Sequence, residues 1–319
     1  MKATAFLIYN QETMLLKGKF EQSHTMIKFI QWFGCIFLLS IPAGGVIFLF
    51  PQPLSVNSLK WIQLIQVTGL FLLPPLLMAY LWSSKPIEWL QLRTSNNNGK
   101  LKIRTIFYAI AIMLLALPAI NLNSHWNQQI DLPTSLGPIE TWMKNKEATL
   151  TQLTQMFLNV DTIGGLIVNL LLMALLPALA EELTFRGILQ RLIGKKQEEK
   201  GIVPHMAIWV TAFVFSAIHM QFYGFIPRML MGALFGYMMV WSGTIWIPML
   251  MHFVNNAAAV ILYYISNHAG WDMDKVDAIG TNNTLWLGIV SIVLTIVGIY
   301  MFRRSTTIRS ASSRISSGS

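Results

Sequence analysis

Charge is scarce in this sequence. Asp, Glu, Lys and Arg make up 12% of the 319 residues, against about a quarter in ordinary soluble domains. Hydrophobic residues make up 54% and the mean hydropathy is +0.52. That balance excludes a soluble cytoplasmic domain. It also excludes disorder away from the chain ends, because the apolar surface is ample to offset the entropy of ordering. Cysteine is nearly absent: Cys35 alone permits neither an internal disulfide nor a thiolate metal cluster. Acids are outnumbered, 14 against 23 Lys and Arg, for a net charge of +9. The basic residues are dispersed between apolar runs, not gathered in a patch, so nucleic acid is not expected as a partner. The first 25 residues lack a continuous apolar stretch followed by small residues, and no cleavable signal peptide is expected.

What the sequence does hold is long apolar runs, at 28–50, 61–83, 104–122, 162–190, 203–221, 229–242, 245–266 and 285–302. Most approach the roughly 20 residues that cross a hydrocarbon core. The fold expected is all-α, a polytopic membrane helix bundle of about eight transmembrane helices. With the N terminus inside, most Lys and Arg fall in inside segments. Lys60, Lys144, Lys146, Arg228 and Lys275 fall outside, and Arg186 within a span. The positive-inside rule then predicts both termini cytoplasmic, in a multi-pass protein of the cell membrane. Four segments are expected: 1–160, the first spans and a long outside loop; 161–266, a core of polar clusters; 267–304, the last loop and span; and 305–319, a Ser-rich disordered cytoplasmic tail. The outside loop, 121–161, carries Trp126 and Trp142 and is expected partly on the membrane surface.

Most spans hold no acid, which singles out the run from Leu175 to Leu189 with Glu181, Glu182 and Arg186. An ionised group facing lipid at mid-helix costs roughly 2.5–3.5 kcal/mol on insertion scales, so these side chains should face the bundle interior or water. Helical spacing stacks Glu182 on Arg186, four positions on, and turns Glu181 about 100° away. Glu181 is left without a local cation and is the candidate general base. Pro177 cannot donate to the carbonyl of Met173, so an irregularity in the helix is expected there. Taken alone, the three residues fit equally well a helix-end ion pair near the membrane boundary.

Two further clusters lie on later spans. Phe215 and His219 are one turn apart in the fifth, and His252 shares a face in the seventh with Asn256, or with Asn255 by spacing alone. Each histidine by itself is the pattern of a satisfied interior residue. Three polar clusters on three spans should nevertheless converge, since only the bundle interior lets them satisfy one another. Together they offer no hydroxyl or thiol nucleophile, which leaves water: Glu181 to take its proton, His219 to hold it, His252 and the carboxamide to stabilise an oxyanion.

Glu-Glu-x-x-x-Arg at 181–186, Phe-x-x-x-His at 215–219 and His-x-x-x-Asn at 252–256, in this order on successive apolar helices, resemble the three motifs of the CAAX prenyl endopeptidase and bacteriocin-processing (CPBP, or Abi) family. The resemblance covers about residues 162–260. It implies an intramembrane glutamic protease with Glu181 as catalytic base, His219 as its partner and His252 and Asn256 as oxyanion stabilisers. It also implies supporting roles for Glu182 and Arg186, no cofactor, and a peptide, bacteriocin or lipid-modified protein as the substrate, reached through the membrane.

A metal-dependent hydrolase is the nearest rival, with Glu181, Glu182, His219 and His252 as oxygen and nitrogen ligands. No His-Glu-x-x-His segment supports it, and Arg186 beside the carboxylates opposes a second positive charge. The other rivals are not enzymes: a proton-coupled carrier using the same groups as a relay, or an immunity protein that sequesters a peptide.

Overall fold

The computed structural model describes residues 16–93, 103–130 and 132–316, with side chains as far as Thr306. All regular secondary structure among them is helical. The elements are α1 (Thr25–Gly45), α2 (Val56–Val67), α3 (Leu73–Trp82), α4 (Pro86–Trp89), α5 (Ile103–Gln128), α6 (Gly137–Leu158), α7 (Ile163–Asn169), α8 (Leu176–Glu182), α9 (Arg191–Glu199), α10 (His205–Ala217), α11 (Phe225–Ser242), α12 (Trp246–Ala269), α13 (Met273–Asp277) and α14 (Leu285–Ser316). Wide π segments join α2 to α3 over Thr68–Leu72, α7 to α8 over Leu170–Leu175, and α8 to α9 over Leu183–Gln190.

Among the described residues seven helices are long and apolar enough to cross a membrane. Large apolar side chains such as Phe33, Phe37 and Ile41 on α1 and Ile289, Val293 and Ile296 on α14 stand exposed, as suits surfaces solvated by lipid. The protein is a membrane protein. The fifth expected span, 203–221, is shorter than the others. Pro204 delays the start of α10 and Met220 ends the following turn with φ 53°, leaving a 13-residue helix. At 1.5 Å per residue that is about 20 Å, short of the roughly 30 Å hydrocarbon core. The short apolar run at 229–242 gains about two turns from the residues before it and becomes a span over Phe222–Ser242.

The expected outside loop at 121–161 is mostly helix. Its first residues extend α5 to Gln128, and α6 follows as a 22-residue helix with no buried residue, whose Trp142 packs on Phe222 at 5.4 Å. At the other end, 317–319 of the expected tail lie outside the described residues. The helical backbone of α14 continues to Ser316, and no Pro or Gly lies between Phe302 and that residue to stop it.

Two apolar cores flank the motif helices. In one, Trp32, Met78 and Trp82 of the first spans pack with Leu183, Phe185, Ile188 and Phe215. In the other, Ile112 and Met113 of α5 meet Phe235, Met238, Met251 and Phe302. Buried polar contacts pin the same layers. Thr184 Oγ1 donates 2.7 Å to the Phe71 carbonyl within a π segment, and Lys60 Nζ donates 2.7 Å to Asn169 Oδ1. The first spans thus brace the motif helix, where lipid offers no hydrogen bonds to compete.

Candidate active site

The irregularity expected at Pro177 is present. Pro177 occupies the first turn of α8, where a missing N–H costs least, and the widened segment Leu170–Leu175 precedes it. Glu181 and Glu182 end α8, and Arg186 lies in the π segment that follows. Glu182 and Arg186 are wholly buried and paired, with Nη1 2.7 Å from Oε1. Arg186 also donates 2.8 Å to the Gly232 carbonyl, and its guanidinium lies 4.7 Å from the Phe215 ring centre and 5.4 Å from that of Phe235. An ion pair in such surroundings is tolerable because hydrogen bonds and aromatic faces replace its water.

His219 stands in the turn after α10. Ser216 Oγ donating to the Phe225 carbonyl and Asn127 Nδ2 donating to the Phe222 carbonyl secure this turn. The ring's Nδ1 lies 2.7 Å from the Phe215 carbonyl, and Nδ1 of His252 lies 2.9 Å from Glu182 Oε1. Both partners only accept, so both Nδ1 atoms carry a proton. In each neutral ring the lone pair is then on Nε2, and both Nε2 atoms face Oε2 of Glu181, at 3.8 Å for His219 and 3.9 Å for His252. That oxygen is buried and accepts no hydrogen bond among the described residues.

The structure therefore brings Glu181, Glu182, Arg186, His219 and His252 into one cluster. Asn256 lies one turn along α12 from His252, and its Oδ1 accepts from Asn255 Nδ2 at 3.2 Å. Among the described residues no group of three or more His, Cys, Asp or Glu side chains is arranged to hold a metal ion.

Sequence reasoning missed Phe235, stacked on the His252 ring at 5.4 Å, and Gly232, whose carbonyl receives Arg186. The signal that would have found both is Gly232-Ala-Leu-Phe-Gly236, a small-xxx-small pattern that lets helix backbones approach. A Cβ at Gly232 would meet the Ala212 backbone at 3.2 Å, and one at Gly236 would meet Ile208 at 2.9 Å.

Residues 163–258, which hold all three motifs, match the family model of the type II CAAX prenyl endopeptidases, Rce1-like. The matched family is one of proteases. The match covers less than a third of this chain. An uncharacterized protein of Bacillus subtilis (strain 168), YpbD, is 30% identical over 93 residues, which are 28% of this chain and 42% of that protein's length. No solved structure matches.

Proposed function

We propose that this chain is an intramembrane endopeptidase that hydrolyses a peptide bond with water activated by Glu181. The observation that carries this is the convergence of both Nε2 atoms on the unpartnered Oε2 of Glu181, inside the segment that matches a protease family. Atoms 3.8–3.9 Å apart are too distant to hydrogen-bond directly, but a water about 2.8 Å from each fits at an angle of about 85°.

In the reaction, Glu181 takes a proton from that water and the oxygen attacks the scissile carbonyl carbon, moving an electron pair onto its oxygen. Asn256 donates to this oxyanion through Nδ2, since its Oδ1 is engaged by Asn255. His252 joins it in its doubly protonated form, donating through Nε2 while the bond from Nδ1 to Glu182 orients the ring. Collapse breaks the C–N bond as the amine takes the proton from Glu181. His219 holds the water, while Glu182 and Arg186 fix the helix and the His252 ring.

The distribution of Lys and Arg supports both termini in the cytoplasm of a multi-pass protein of the cell membrane. The substrate is a peptide, bacteriocin or lipid-modified protein that reaches the cluster through the membrane. N-terminal mapping of membranes holding equal amounts of the parent or of Glu181→Gln tests the proposal. New termini confined to the parent support it. Identical maps with a natural substrate present would favour a carrier or a sequestering protein.

A further inference from the structure

A polar cavity of about 480 Å³ lies where α1 begins, α3 ends and α9 follows the catalytic helix. Its walls include Trp82 and Trp89, in edge contact at 5.6 Å. Lys28 Nζ lies 5.9 Å from the Trp82 ring centre and the Arg191 guanidinium 5.1 Å from that of Trp89.

Three bases and three acids line it, and the acids are already engaged. Glu21 Oε2 accepts from the Ser84 amide at 3.1 Å, Glu198 lies 3.5 Å from Arg191 Nε, and Glu199 lies 3.8 Å from Lys195. The bases are not equally served. Lys28 is only 5% exposed, yet its ammonium makes one hydrogen bond, to the Glu21 backbone carbonyl at 2.9 Å, and no carboxylate lies within 4 Å among the described residues. Arg191 Nη1 is buried with no hydrogen-bond partner among them. Buried cationic donors left unpaired are costly, and an anion between them removes that cost.

We propose that this cavity binds the phosphate of a membrane phospholipid, whose oxygens accept from Lys28 Nζ and Arg191 Nη1 above the two tryptophans. The phosphoethanolamine headgroup is a zwitterion of zero net charge, which suits a cavity whose formal charges cancel. Tryptophans at helix ends mark headgroup depth, and basic pockets between helix ends are a recurrent means of holding lipid phosphates. Arg191 directly follows the π segment that carries Arg186, so the lipid would brace the catalytic helix from its far end.

Thermal unfolding of the full chain, delipidated in detergent, tests this. Phosphatidylethanolamine is expected to raise Tm by about 4 °C or more at saturation, and diacylglycerol, which lacks the phosphate, by less than half as much. Lys28→Gln and Arg191→Gln should each abolish the difference. Both sites are buried enough that these variants can fail to fold, so the exposed Lys195→Glu, which adds an acid to the rim, provides a second test and should at least halve the shift. Equal shifts from the two lipids, or an unaltered shift in Lys195→Glu and in any folded Lys28 or Arg191 variant, would overturn the proposal. A full shift from inorganic phosphate without lipid would retain the phosphate chemistry but overturn the lipid as its source.

Discussion

Arg186 and His252, from different helices, bond the same oxygen, Oε1 of Glu182, at 2.7 and 2.9 Å. That oxygen locks the π segment to α12 and fixes which nitrogen of His252 faces Glu181. Glu182→Gln keeps an acceptor but removes the counter-charge of a wholly buried guanidinium. Breaking such a pair from one side costs about 3–5 kcal/mol. Glu182→Gln is therefore expected to unfold at markedly lower temperature than the parent in detergent. A Tm equal to the parent's would show that Arg186 does not depend on the carboxylate.

Glu181→Gln should behave in the opposite sense. Oε2 of Glu181 is buried without a hydrogen-bond partner among the described residues, so removing its charge relieves a desolvated group instead of stranding one. The variant should be at least as stable as the parent while losing at least about 100-fold in peptide cleavage, the scale of a general base. Tm and cleavage rate measured on one preparation separate the two roles. A Glu181→Gln form that still cleaves would end the proposed mechanism.

Spacing alone made the Glu182–Arg186 pair legible, because both residues lie on one helix and four positions make them neighbours. The bond from His252 to Glu182 joins residues 70 positions apart, and no periodicity encodes it. The span count followed hydropathy except at 203–221, where an apolar run conceals a helix ended by the turn at Met220. Residues 137–158 escaped for the opposite reason: a helix with no buried residue leaves little apolar periodicity to read. The bracing by the first spans, through Thr184 and Lys60, depends on side chains that look unremarkable in sequence.

Asn255 and Asn256 are adjacent, and the proposed mechanism gives them unequal parts. Asn255 donates to Oδ1 of Asn256 at 3.2 Å, which orients the carboxamide of Asn256 and leaves its Nδ2 protons for an oxyanion. Asn256→Ala is expected to lower kcat about 100-fold or more, the loss typical of one oxyanion donor. Asn255→Ala removes only the orientation and should cost about 10-fold. The reverse order, read from initial rates at saturating substrate, would transfer the donor role to Asn255.

Chelation separates the glutamic from the metal mechanism. Glu182 Oε1 already bonds Arg186 and His252, so two of the candidate ligands are committed to each other. Cleavage is expected to continue at the parent rate after exhaustive treatment with a strong chelator. Loss on chelation, with recovery on adding back a divalent ion, would favour the metal reading.

The close approach of α10 and α11 makes the last prediction. A methyl group at Gly236 would lie 2.6 Å from Gln190 Oε1 and 2.9 Å from Ile208 Cγ2. Gln190 also donates to the Gly236 carbonyl at 3.3 Å, and Ile208 is fully buried. Gly236→Ala must therefore displace both side chains, and overpacking of this kind costs about 1–3 kcal/mol. Gly232, on the same face, gives Arg186 its carbonyl, so separating the two helices also loosens the buried ion pair. Gly236→Ala is expected to lower both Tm and cleavage rate. Gly34→Ala in α1 is the control, since nothing lies within 4 Å of its Cβ position. There the methyl group only reduces the freedom of the unfolded chain, and stability should be unchanged or rise by up to about 1 kcal/mol. Equal losses from both substitutions would mean that the glycines act through helix propensity and not through the contact between α10 and α11.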